Sequence, residues 1–530
     1  MNKEVLSELK ILDIEVEFLD VTDSRKPYTA DVVLSAECGE CSDLTLEAVL
    51  KDGDGDVVGE CAVIEVTGSE SRLSGFAEGA RIWKLDDPTL HTFEVALKRG
   101  GDIIDSREAK LGVRNFAYDR KGFWINGRQV KVRGLNLRKN YPCLQADEYL
   151  QKLDVNILKN ELGCNSARVA DKPPQALIDE CDKIGLLIFE YSGNEIRVNG
   201  QMVRTADKGK PGKLFKDFCP EGSRQYDCND IKYTHARSAL KITKAMGRGR
   251  GAIGGELVDC GGDTGVLDIM RIPKAAAYPF KVMSGAATLE TVYRMRRARA
   301  GALDVFTNCD NIKLYLDGNY CGTLKPTKCL LTKKISPYIT ITDFLGDLPW
   351  KTEGMSYEAA SIFKYYLRGR IRGKKCVVNA ALVKTAGFLS RVFSRRTKVQ
   401  FAELTAKYIG LNNTGTLRID GYIGDRCAAS KTLPGVIETH RIAVMPDTES
   451  IAGGSAARVV IEARDVYSNR VCDCFAVVEV ADEGGIEITG PSKFALRGGV
   501  GAFFVRATGT GGGAVRVVTE YGEEIIKYKL

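Results

Sequence analysis

The chain has 530 residues, 44% of them apolar and 27% charged, which describes a globular protein with material for about three to five domains. Its 76 basic side chains against 69 acidic ones leave a net charge of +7, too dilute over this length to predict nucleic-acid or membrane binding. No run approaches the roughly 18 apolar residues of a membrane helix, and "MNKEVLSELK" has no apolar stretch behind its positive charge, so no secretory leader is expected.

Residues 11 to 116 alternate apolar and polar in short runs ("LDIEVEFLDV", "LTLEAVLKD", "HTFEVALKRGG") broken by turns such as "KDGDGD". Period-two alternation at this spacing predicts a β-sandwich. From about residue 122 the texture changes. "GFWINGRQVKVRGLN" predicts a hairpin turning at Asn126-Gly127, because both residues accept the left-handed backbone of a two-residue turn. The helix "ADEYLQKLDVNILKNELGC", the strand "NSARVA", the Pro-started and Gly-ended helix "PPQALIDECDKIG" and the strand "LLIFEY" follow. Helix and strand alternating in this way predict a parallel sheet.

Residues 197 to 224 are polar with little periodicity; a helix "YTHARSALKITKAM" and a strand "GAIGGELVD" come next. Residues 304 to 345 read as β again, with a hairpin turning at Asp317-Gly318. Residues 356 to 410 form a helical block, and the tail from about 437 reads as a second sandwich.

Several motifs carry less than they suggest. Asp52, Asp54 and Asp56 imitate the start of a calcium loop, but Val57 stands where the sharp turn needs glycine, so a hairpin turn is expected. Cys38 and Cys41 have metal or redox spacing, but the other close pair, Cys472/Cys474, lies far away in sequence, so buried thiols are expected rather than a zinc site. With no leader, the sixteen cysteines are expected to be reduced thiols of a cytoplasmic protein. "GRGRG" (247–251) lacks the Lys-Ser/Thr ending of a phosphate loop, and the basic runs 293–300 and 391–398 lack aromatic interleaving. His235 is expected as a helix-surface or packing residue, and with only three histidines no His-based metal site is expected. No cofactor is expected.

The order of elements, with several local words, resembles glycoside hydrolase family 2, the β-galactosidase and β-glucuronidase group. "IWKLDDPTLHTFEVAL" (82–97) is similar to the strand closing that family's first immunoglobulin-like domain. "LGVRNFAYDRKGFWINGRQVKVRGLN" resembles the crossing into its barrel, and "GCNSARVADKPPQALIDECDKIGLLIFE" resembles the second and third barrel units. "SGNEI" is similar to the end of the acid/base strand, "TGVLDIMRIPKAAAYPFK" to the segment closing the barrel, and "FTNCDNIKLYLDGNYCG" and "GPSKFALRGGVGAFFVRATG" to the β-domains that follow.

The resemblance implies a multidomain fold of immunoglobulin-like β-sandwiches flanking a truncated (β/α)-barrel-derived α/β domain. Its expected domains are 1–117 (sandwich), 118–285 (shortened barrel), 286–436 (β-domain with the helical insert) and 437–530 (sandwich). The barrel portion spans about 131 to 283, whereas a complete (β/α)₈ barrel takes about 250 residues. The family's N-terminal jelly roll has no counterpart in the sequence, and "NLRKNYP" and "RVADKPP" stand where the family carries histidines.

The chemistry so implied is retaining hydrolysis of β-glycosides, which needs two carboxylates about 5–5.5 Å apart, one as acid/base and one as nucleophile. Glu195 matches the acid/base position; Asn194, Arg168 and Asn136 match substrate-binding positions. Glu221, in "CPEGSRQYD", is the first candidate for the nucleophile and Glu256, in "GGELVD", the second. The expected partner is a carbohydrate, and an incomplete barrel with uncovered sheet edges is expected to self-associate. The competing reading is a catalytically inactive relative serving as a carbohydrate-binding or scaffold protein.

Overall fold

The structure is a computed structural model that describes residues 9–35, 43–119, 121–138, 147–192, 195–205, 251–259, 265–292, 303–326, 338–371 and 398–530. It divides into two compact units, Met1–Lys139 with Gln151–Cys219 and Lys241–Leu257, and Asn140–Leu150 with Pro220–Leu240 and Val258–Leu530.

In the first unit, the alternating runs become strands. Leu44–Lys51 and His91–Arg99 each bury every second residue, so Leu46, Ala48, Phe93, Val95 and Leu97 point into one apolar core. Seven strands lie in the order Ile11–Phe18, Pro27–Leu34, Glu70–Phe76, Val57–Cys61, Leu44–Lys51, His91–Arg99, Asp102–Leu111. The two ends of this sheet are tied together: the Ile11 amide donates to Asp105 Oδ2 at 2.7 Å, and Arg107 Nη1 donates to the Ile11 carbonyl at 3.1 Å.

The Asn126-Gly127 hairpin forms as expected. Gly122–Ile125 pairs with Arg128–Val130, and both turn residues sit at positive φ (52° and 73°). Beyond it lies the α/β sheet. Its strands run side by side as Gln201–Met202, Glu195–Val198, Leu187–Ser192, Ser166–Val169, Val132–Asn136 and Gly251–Val258. The last four are mutually parallel; the first two are antiparallel additions at the edge. Leu187, Ile188 and Phe189 are buried in succession, as a strand covered on both faces must be. Helix Gln175–Ile184 starts after Pro174 and stops at Gly185, whose left-handed backbone (φ 75°) turns its N–H back to the Cys181 carbonyl.

A buried polar cluster pins this sheet to the strands before it. The Arg114 guanidinium pairs with Asp182 at 2.7 Å, donates to Gln201 Oε1 at 3.2 Å, and lies 4.4 Å from the Trp83 ring. Asn199 accepts from the Ile188 amide and donates to the Leu186 carbonyl.

The second unit has two large apolar cores among the described residues. One gathers Leu303, Val305, Ile312, Leu314, Ile419 and Ile341 from a three-stranded and a four-stranded sheet, and its Asp317-Gly318 hairpin forms as expected. Helices Tyr357–Ile371 and Lys398–Thr414 realise the helical block. They send Ala360, Phe363, Leu367, Leu404 and Tyr408 into the same core, with Phe363 and Tyr408 in edge contact at 5.8 Å. The other core joins two four-stranded sheets through Val459, Ile461, Phe503 and Val505 on one side and Val478, Val480, Val515 and Val517 on the other.

Candidate active site

Parallel strands gather their carboxyl ends along one edge, and in α/β sheets that edge is where ligands bind. Here it brings together side chains far apart in sequence. Asn136 ends strand Val132–Asn136, with Arg168 in register beside it on one neighbour and Glu256 in register on the other. Arg168 Nε donates to Asn136 Oδ1 at 2.8 Å, and Asn136 Nδ2 reaches Glu256 Oε1 at 3.4 Å. Arg138, two residues past the strand in "NLRKN", donates through Nε to Glu256 Oε2 at 3.0 Å. The Glu256 side chain is 10% exposed and that of Arg138 54%. A nearly buried carboxylate is thus tied on one side to Asn136 and on the other to an arginine at the rim.

Glu256 reaches this position through a bulge. Along the pairing with Val132–Asn136, Gly134 opposes Ile253 but Asn136 opposes Glu256, so one extra residue is inserted in the glycine pair Gly254-Gly255. Gly255 takes φ 81°, a conformation that a side chain disfavours. In an unbroken strand Glu256 would alternate to the opposite face; the bulge turns it beside Asn136. Gly-Gly inside an apolar strand is the sequence signal for such a feature.

The other expected site residues divide. Glu195 opens strand Glu195–Val198 and pairs through its backbone with Ser192, at the carboxyl end of Leu187–Ser192. "YSGNEI" is therefore a hairpin: the chain reverses after Ser192 and does not extend into another parallel strand. Asn194 and Glu221 lie outside the described residues, as do Cys38, Cys41, His235 and the run 293–300.

Among the described residues no group of three or more His, Cys, Asp or Glu side chains is arranged to hold a metal ion. Asp52 Oδ1 instead accepts the backbone amides of Asp54 and Asp56, both at 3.0 Å, so the "DGDGD" carboxylate caps its own turn. Cys474 is buried and Cys472 partly so.

A family model described as glycosyl hydrolases family 2 matches residues 10–114. A β-galactosidase of Thermoanaerobacterium thermosulfurigenes is 35% identical over 142 residues, which cover 26% of this chain and 20% of that protein. A β-galactosidase of Rhizobium meliloti is 31% identical over 192 residues, covering 35% and 25%. Among solved structures, a family 2 glycosyl hydrolase from Bacteroides cellulosilyticus aligns with a TM-score of 0.68 at 14% identity, covering 98% of this chain and 79% of that one.

In residues 10–114 by sequence, and over nearly its whole length by fold, the chain is similar to glycosyl hydrolase family 2. A structure titled as a β-glucuronidase of glycoside hydrolase family 2 also aligns, with a TM-score of 0.66 at 15% identity, over 99% of this chain and 63% of that one. The chain matches only a fifth to a quarter of the length of the two β-galactosidases. The fold is that of multidomain, β-rich family 2 proteins.

Proposed function

We propose that this chain is a family 2 retaining β-glycosidase of the β-galactosidase/β-glucuronidase class, hydrolysing O-glycosidic bonds by double displacement. The observation that carries the reading is the Arg168–Asn136–Glu256–Arg138 network at the carboxyl edge of the parallel strands, with Glu195 opening the strand beside the same edge. Glu195 is assigned as acid/base and Asn194, Arg168 and Asn136 as sugar-binding groups. Glu221 is a nucleophile candidate from its sequence; Glu256 is the candidate that the strand geometry favours.

In the first step protonated Glu195 gives its proton to the glycosidic oxygen while the nucleophilic carboxylate attacks the anomeric carbon. The aglycone leaves as an alcohol and a glycosyl ester forms. In the second step the Glu195 carboxylate takes a proton from water, whose oxygen attacks the anomeric carbon and frees the nucleophile. Two inversions leave the configuration retained. Two hydrogen bonds fix the Glu256 carboxylate, so little reorganisation is needed before attack.

The architecture assigned to this reading is immunoglobulin-like sandwiches around a shortened (β/α)-barrel. Lettered in chain order without the two-residue strand Ile64–Glu65, which pairs beside Leu44–Lys51, the other seven strands of the first sheet run A-B-E-D-C-F-G, which joins the ABED and CFG sheets of a constant-type immunoglobulin domain at one seam. Among the described residues the α/β sheet runs as an open path and does not close into a barrel, so its outermost strands offer edges, which supports self-association. Light scattering should report a dimer or larger; a monomer contradicts this part.

The test is aryl β-glycoside hydrolysis by Glu256→Gln and Glu221→Gln beside the parent. Loss of roughly 10³-fold or more in kcat with Glu256→Gln, and full activity with Glu221→Gln, assigns the nucleophile to Glu256. The reverse result assigns it to Glu221.

A further inference from the structure

A second cluster in the molecule has no part in that chemistry. It lies on the outer face of the sheet Asn319–Leu324, Asn311–Leu316, Leu417–Ile423, Arg426–Leu433. Alternation puts Ile312, Leu314, Leu316, Leu417 and Ile419 into the core, so Lys313, Tyr315, Arg418 and Tyr422 stand on the other face. There the rings and cations interleave. The Lys313 ammonium is 4.0 Å from the Tyr422 ring, the Arg418 guanidinium 4.2 Å from Tyr315, and Tyr315 meets Tyr320 edge-on at 5.6 Å. Lys351 then bridges Tyr320 and Trp350, at 5.1 and 5.3 Å from the two rings. Tyr320 and Trp350 each keep 38% of their surface exposed.

We infer that this strip is a binding surface for an acidic oligosaccharide, a chain of linked uronic acid rings. Pyranose rings carry apolar C–H faces that pack on exposed aromatic rings, and aromatic side chains with one polar tip suit such half-wet contacts. The cations select the charged sugar. Asp420 and Asp347 answer Arg418 and Lys351 with ion pairs of 3.3 and 2.9 Å, while among the described residues no carboxylate pairs with Lys313. Among the described residues of this strip three cations thus meet two carboxylates, and the surplus ammonium, Lys313, lies over the Tyr422 ring. A bound uronate would supply the missing anion. The strip lies on a different sheet from the strand-end cluster, so the inference does not rest on the glycosidase reading.

Calorimetric titration of the full chain with hexagalacturonate, cellohexaose and a twelve-residue oligothymidylate tests it. Hexagalacturonate should bind, and binding should weaken as salt rises. Tyr320→Ala combined with Trp350→Ala should weaken it at least tenfold. Lys313→Ala should weaken it at least threefold and flatten the salt dependence. All three substitutions are at the surface and should leave aryl glycoside hydrolysis unchanged. Absence of hexagalacturonate binding, equal binding of cellohexaose, tighter binding of the oligothymidylate, or variants that bind like the parent would each overturn the inference.

Discussion

Arg114 and Asp182 show what one buried pair does in this molecule. The guanidinium is 2% exposed and is bonded to Asp182, Gln201 and the Trp83 face, so truncating it leaves a carboxylate buried without its partner. Arg114→Leu should cost about 3–5 kcal/mol in denaturant unfolding, and the double variant Arg114→Leu/Asp182→Leu less than the sum of the two single changes. His91 acts on the pH axis. Burial holds its imidazole below the ordinary value of 6.5, with Asp52 opposing and Arg81 reinforcing the shift. The neutral ring is therefore the folded form. Its contribution is complete above pH 6.5 and is lost as pH falls toward the lowered value. Between pH 7 and pH 5 the melting temperature of the parent should drop further than that of His91→Gln; parallel curves would show that His91 is not responsible.

Elements place the residues, and here glycines at positive φ matter most. Gly255 makes the bulge that turns Glu256 toward Asn136. Gly255→Val should lower kcat at least tenfold while the protein stays folded by circular dichroism, because the carboxylate is re-aimed and the core is kept. Gly185 ends its helix at φ 75°, and a Cβ there would meet the Leu85 carbonyl oxygen at 2.3 Å. Gly185→Ala should therefore destabilise by about 2 kcal/mol or more, measured by the shift in urea midpoint. Local signals of this kind were legible in the sequence: the Asn126-Gly127 and Asp317-Gly318 turns, the Pro174 start and Gly185 stop, and the alternation of the outer strands. The position of Glu256 was not, because it depends on the pairing of segments 120 residues apart and on one extra residue in a strand. Nor was the reversal at Ser192, since a short apolar run reads alike whether the chain continues or turns back.

The molecule as a whole is held by separate apolar cores, and the helical block belongs to one of them. Sequence period identified its helices but could not say what they pack on; Phe363 and Leu367 answer that by joining the β-sheet core. Phe363→Ala should cost roughly 3–5 kcal/mol in unfolding of that unit, a loss that a detached, solvent-facing block would not show. The family resemblance was legible from local words because those words sit at turns and strand ends whose geometry the fold fixes. The central claim is that this shortened sheet still carries out glycoside hydrolysis. The most direct measurement is turnover of aryl β-galactoside, β-glucuronide, β-glucoside and β-mannoside by the parent and by Glu195→Gln. The account predicts turnover of at least one sugar by the parent, falling at least 10²-fold in the variant. A folded parent that turns over none of them, or a variant as active as the parent, would contradict it.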